Sequence, residues 1–304
     1  MDAGVFSYID GNQEIAAEFQ SIDGLALSNG CNSFTVLFRL LLGTVRISCP
    51  NYDNVFQSKN LLKLGMPENN TEGVYTTLIS SFGFEDASGN TVLDYCKIHD
   101  TFKSPMANVN SSRIFTQMLH EFSMYFVTEE ISSIAAFSFL YRSLESIAYC
   151  FPLLYVSNSK DFFGTFETIK GFFNNSQKGE LKFFRSFIEK IMYDDSNINA
   201  SVDIEYEPQT PPALITCLET LQKQDLKATT VSVDQSNFRI SMRYKDIISY
   251  AIVVRNHFFH ALQTERDNFR SNQFDPTDIF SKINKPLANV IAYIFLKIVE
   301  KLIP

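Results

Sequence analysis

The segment Arg255-Asn256-His257-Phe258-Phe259-His260 gathers the side chains of this chain best suited to chemistry. An arginine stays charged and offers a planar pair of donors to a carboxylate or phosphate, while a histidine titrates near neutral pH and can take or give a proton. Together they can hold an anion and move protons beside it. On a helical wheel the apolar residues Ile248, Ala251, Ile252, Phe259 and Leu262 all fall within about 60° of Arg255. Arg255 therefore points into, or along the edge of, a buried helix face. A guanidinium in that position needs a partner, because its desolvation is costly. An internal carboxylate such as Glu145, water reached along its own helix, or a phosphate arriving at a preorganised site would each serve. Two other pairings are blander: Asp94 with His99 reads as a surface polar pair, and Arg113 with His120 as a coincidence on an exposed helix face.

The elements that must position these residues change character along the chain. Up to about Ser104, short β-rich runs at Ser33–Leu41, Thr44–Ser48, Gly73–Phe82 and Asn90–Cys96 read as strands. Glu85 to Asn90 has the composition of a hairpin loop, and Asn51 to Asn70 that of connecting loops. From about Ser112 the period becomes helical. Thr128-Glu129-Glu130 resembles a helix start, leading into the stripe Ile131, Ile134, Phe137, Tyr141, Leu144, Ala148 and Phe151. Phe162–Phe173 and Leu181–Met192 read as amphipathic helices, Asp194–Pro212 as a polar connection, Ala213–Gln224 as a short helix and Thr229–Ser241 as an irregular or β-like excursion. Tyr244 to Leu262 is the helix that carries Arg255. Asp275-Pro276 then caps a last helix, which Pro286 should kink or interrupt. The expected fold class is α+β: a smaller β-containing region at 1–108, a possible sensor or regulatory module, then an all-α bundle at 109–304.

Composition bounds the partners. Of the 304 residues, 45% are hydrophobic and 20% charged, with 29 Phe and no Trp, which excludes disordered, collagen-like and coiled-coil chains. A net charge of −8 creates no overall field that would attract nucleic acid or an anionic membrane. An anionic ligand must be held by a local cluster, and Arg243, Lys245, Arg266 and Arg270 flank the motif. Five dispersed cysteines without a Cys-x-x-Cys pair, and an amino terminus without a basic or apolar leader pattern, lead us to expect a cytoplasmic protein. The Asn-x-Ser/Thr matches at Asn69, Asn110, Asn174 and Asn199 are then chance products. The apolar stretch Ile131 to Val156 carries Arg142 and Glu145 near its middle, as a core helix rather than a membrane span would. No cluster of metal ligands is visible, and no cofactor is expected.

Arg255, four intervening residues and His260, with Asn256 directly after the Arg, resemble the R-x4-6-H motif of the HEPN superfamily. A long helix bearing Leu140-Tyr141-Arg142-Ser143-Leu144-Glu145 upstream and a closing helix downstream fit that resemblance, which covers about Ser112 to Pro304. It implies a metal-independent endoribonuclease of prokaryotic antiphage defence or toxin type, in which the RNA 2′-OH attacks the neighbouring phosphate. Arg255, His260 and Asn256 would be catalytic, with Glu145 and His257 supporting and Arg243, Lys245, Arg266 and Arg270 binding RNA. Positions five apart on a straight helix differ by about 140°. A local break near His257, or a homodimer in which two motifs face one another in a composite cleft, would bring the Arg and His together. An antitoxin or defence-system partner is a further implication. Some HEPN toxins carry a Tyr two residues after the motif His; Leu262 stands there, so control by modification of that Tyr is not expected. The alternative reading is a non-catalytic HEPN-like nucleotide-binding or protein-interaction module.

Overall fold

The computed structural model describes residues 5–10, 13–18, 46–49, 52–56, 80–85, 87–89, 91–94, 97, 117–118, 120–122, 124–126, 128–129, 131–157, 160–174, 184, 187–188, 198–206, 232–234, 236, 238–259 and 275–302. The chain divides into two compact units: Met1–Ile131 with Arg142–Asn158 and Ile291–Pro304, and Ser132–Tyr141 with Ser159–Val290. The expected strand at Ser33–Leu41 and helix at Ala213–Gln224 lie outside the described residues.

In the first unit, β1 (Val5–Asp10), β2 (Gln13–Glu18), β3 (Arg46–Cys49) and β4 (Tyr52–Phe56) form an antiparallel sheet of order β2-β1-β3-β4. Asp10 pairs with Gln13, and the intervening Gly11-Asn12 are of the types that two-residue hairpins favour. β4 falls in a stretch expected to be connecting loop. The many Asn residues hid a five-residue strand whose register slips by a bulge between Ser48 and Cys49. β5 (Gly83–Glu85) and β6 (Thr91–Leu93) make a hairpin around the expected loop, with Gly89 at φ 78° in it, but β5 begins only after the expected Gly73–Phe82 run. Residues 80–82, expected to end a strand, are instead helical.

The described residues between 117 and 129 are helical and bury Met118, Phe122, Tyr125 and Phe126 at helical spacing. Thr128 belongs to this segment rather than starting the next helix. Its hydroxyl donates to the Met124 carbonyl at 2.7 Å, so it cannot cap the downstream helix. That role falls to Ser132, whose Oγ accepts from the Ala135 amide at 3.3 Å. Helix α1 (Ser133–Ser157) begins there. Within the first unit its Leu144, Ile147 and Ala148 are buried, and Arg142 pairs at 2.9 Å with Glu121 on the preceding helical segment. No helix among the described residues is long and apolar enough to cross a membrane.

In the second unit, α2 (Phe162–Asn174) is capped by Asp161, whose Oδ1 accepts from the Gly164 amide at 2.9 Å. Its expected amphipathic character takes an unexpected form, because Phe162, Phe163 and Phe166 face solvent while Thr165 is buried. The expected all-α bundle also requires correction, since β7 (Ser201–Glu205), β8 (Ser232–Asp234) and β9 (Arg239–Arg243) form a sheet of order β7-β9-β8. β7 lies where a polar connection was expected. Its alternation buries Ile204 opposite Ile240 while exposing Ser201, Asp203 and Glu205, and so few apolar residues hardly mark a strand.

β9 runs without a loop into α3 (Tyr244–Phe259). The unsatisfied amides of its first turn donate to backbone carbonyls of the 198–200 turn, Tyr244 to Ala200 at 3.1 Å and Lys245 to Ile198 at 3.0 Å. α4 (Thr277–Leu302) starts as expected, the Thr277 amide donating to Asp275 Oδ1 at 2.9 Å. Pro286 does not interrupt it. Ile279, Phe280, Ile283 and Leu287 are fully buried in this unit, and Asn284 donates through Nδ2 to the Ser133 carbonyl at 2.8 Å.

Candidate functional site

The inward face of α3 is made by Ile247, Tyr250, Ala251, Val254 and His257, all buried. Arg255 is half-buried at the edge of that face, the second of the two positions that the helical wheel allows. Its Nη1 donates to the Asn256 Oδ1 at 3.1 Å. Its Cζ lies 5.2 Å from the centroid of the Tyr141 ring on α1, within the range of a cation–π interaction. Both of these contacts are with neutral groups.

A run of rings fixes this corner of the second unit. Tyr141 is buried and sits 5.9 Å from Phe137, which packs 4.7 Å from Phe280 on α4. Phe258 meets Phe280 edge-on at 5.1 Å, and Phe259 lies 6.3 Å from it. The last turn of α3, which carries Arg255, is thus clamped through the two phenylalanines that lie between the motif's Arg and His.

His257 is buried on the inward face, about 200° around the helix from Arg255, so the two do not share a face. Asn256 is exposed and engaged with Arg255. His260, Leu262, Arg266 and Arg270 lie outside the described residues, as do Arg113 and His99. Of the flanking cations, Arg243 is held by the buried Asp246, Nε to Oδ2 at 3.1 Å, and Lys245 is half-buried. Glu145 is half-buried on the part of α1 counted with the first unit. There Arg142 takes Glu121 as its partner. Burial pushes the Glu121 carboxyl up from its ordinary value, against the opposing pull of Arg142 and His120. Among the described residues no group of three His, Cys, Asp or Glu could hold a metal.

Two participants escaped sequence reasoning. Tyr141 was legible only as one more residue of an apolar stripe, and nothing local links it to Arg255, which is far away in the chain. Glu121 sits between His120 and a run of apolar residues, and only its tertiary neighbour Arg142 marks it out. Scanned against protein-family models, curated proteins and solved structures, the chain returns no match.

Proposed function

We propose that the chain is a metal-independent endoribonuclease of the HEPN type, acting in the cytoplasm in prokaryotic antiphage defence or as a toxin. The observation that carries this reading is Arg255. It belongs to an Arg-Asn-x3-His motif, stands at the edge of a buried helix face, and touches an amide oxygen and an aromatic ring there. Arg255 binds the scissile phosphate through two donors and stabilises the charge that develops on its oxygens. His260 removes the proton from the attacking 2′-OH as the 2′-oxygen–phosphorus bond forms. A proton is delivered to the 5′-oxygen as its bond to phosphorus breaks, leaving a 2′,3′-cyclic phosphate. A homodimer with two facing motifs supplies the second acid–base group and removes the angular separation of Arg255 and His260. Asn256 orients the Arg255 guanidinium rather than the imidazole. Lys245, Arg266 and Arg270 attract the RNA, and an antitoxin or defence-system partner restrains the activity.

A net charge of −8 and the commitment of Arg243 to Asp246 favour the second reading, a non-catalytic nucleotide-binding or protein-interaction module. One set of variants separates the two. The wild type is expected to cleave RNA in EDTA, Arg255→Lys to lose most of the rate with little change in melting temperature, and His260→Ala to bind RNA without cutting it. A wild type that binds nucleotide but never cleaves would establish the module instead. A strongly destabilised Arg255→Ala with no nuclease activity in the wild type would make Arg255 purely structural.

A further inference from the structure

We propose that the outward face of α2 docks on the same face of a second copy of this chain, the two helices lying antiparallel about a two-fold axis beside Phe163. On the helical wheel Phe162, Phe166 and Phe163 span about 100°, and they are 82%, 62% and 88% exposed, while the buried Thr165 sits about 110° from their centre. Three phenylalanines on one exposed helix face exceed the scattered apolar residues of an ordinary surface. Taking about 150–250 Å² for a whole phenylalanine, these exposures leave about 350–580 Å² of side chain uncovered on each copy. Two such faces brought together hide about 700–1,160 Å². Since the apolar share of a protein interface is about 56–58%, the whole contact comes to about 1,200–2,000 Å², the size that a specific dimer buries. The charges beside the rings choose the occupant. Lys160, Asp161, Glu167 and Lys170 are exposed and balance one another, so the segment does not attract an anionic bilayer, and the net charge of −8 opposes one. Against its own copy the same arrangement is complementary. An antiparallel pair centred between residues 163 and 164 places each Lys160 opposite the partner's Glu167, twice by symmetry. At home Glu167 makes an exposed 3.6 Å pair with Lys170, a contact weak enough to be shared.

This contact belongs to α2 rather than to the motif on α3, and it stands whether or not the chain cuts RNA. Sedimentation velocity of the full chain over about 1–200 µM reads it, and the wild type should pass from monomer to dimer with a dissociation constant on the order of 10 µM. Phe163→Asp/Phe166→Asp should weaken the dimer at least about tenfold, while the melting temperature measured at about 1 µM stays at the wild-type value, because both rings are exposed. Lys160→Glu and Glu167→Lys should each weaken it about threefold, and Lys160→Glu/Glu167→Lys together should restore it. If the double Asp variant melts early, Phe163→Ser takes its place. A wild type that stays monomeric throughout overturns the inference, and Phe163-dependent pelleting of that monomer with phosphatidylcholine vesicles would give the face to a bilayer instead. A dimer that keeps its strength in the Phe variants overturns it too, leaving the copies joined at another surface such as the facing motifs. Charge exchanges whose losses add rather than cancel overturn the antiparallel pairing.

Discussion

Replacing Phe280 by alanine tests the packing that holds the last turn of α3. Phe280 is fully buried, with Phe137, Phe258 and Phe259 at 4.7, 5.1 and 6.3 Å. A buried Phe removes about 150–250 Å² from water, worth about 4–6 kcal/mol as an upper estimate at about 25 cal/mol per Å². Measured Phe-to-Ala losses in cores run about 3–5 kcal/mol. The two routes agree on about 4 kcal/mol, a large share of the roughly 5–15 kcal/mol that holds a typical domain. Because the chain has no Trp but 13 Tyr, urea unfolding can be monitored by tyrosine fluorescence and far-ultraviolet dichroism together. Phe163→Ala is the control: that ring is 88% exposed, and its loss should change stability by less than about 0.5 kcal/mol. A Phe280→Ala variant within about 1 kcal/mol of wild type, or a Phe163→Ala variant as damaged as Phe280→Ala, would refute the assignment of inside and outside.

Tyr206 lies with its hydroxyl 3.2 Å from that of Tyr250, and burial pushes its phenol up to about 12, the bond to Tyr250 opposing. A phenol whose folded value is raised contributes stability that is present below about pH 10 and is lost as pH climbs towards 12. Tyr206→Phe should therefore flatten the fall of melting temperature between about pH 10 and 12, at a cost of about 1 kcal/mol at neutral pH; an unchanged alkaline slope would count against it. Gly164 lacks a side chain for a reason, since a methyl there would overlap the Asp161 carboxylate that caps α2. Gly164→Ala should leave the wild type within about 0.5 kcal/mol, the gain in helix propensity offsetting the displaced cap, yet stabilise by about 1 kcal/mol in an Asp161→Ala background, where the cap is already lost. Thermal melts of the four chains check the difference.

Legibility in the sequence tracks the strength of local signals. α2, α3 and the Asp275-capped start of α4 are long and periodic or carry a clear cap, and they appear within a few residues of expectation. The hairpin around Gly89 was legible from turn chemistry. β7 was not, because Val202 and Ile204 are two apolar residues in a polar stretch and the strand exists through its pairing with β9. The start of α1 was misplaced because Thr128 satisfies its own hydroxyl backwards, a choice between two carbonyl geometries that composition does not express. At the candidate site, the edge position of Arg255 is a matter of helix geometry alone. The Tyr141 ring beneath it is a tertiary fact, and the burial of His257 reflects which face of α3 meets the core rather than any property of histidine.

The seamless passage from β9 into α3 makes a lever. Tyr244 is pinned to the 198–200 turn by its backbone, and with a rise of about 1.5 Å per residue Arg255 stands about 16 Å along the axis from that fulcrum. A tilt of only about 3–4° at the junction would sweep the guanidinium through about 1 Å, a displacement that can cost a catalytic step about a hundredfold. Whatever tugs on the β7-β9-β8 sheet is thereby geared to the arginine, and the rings around Phe280 act as the stop against which the lever rests.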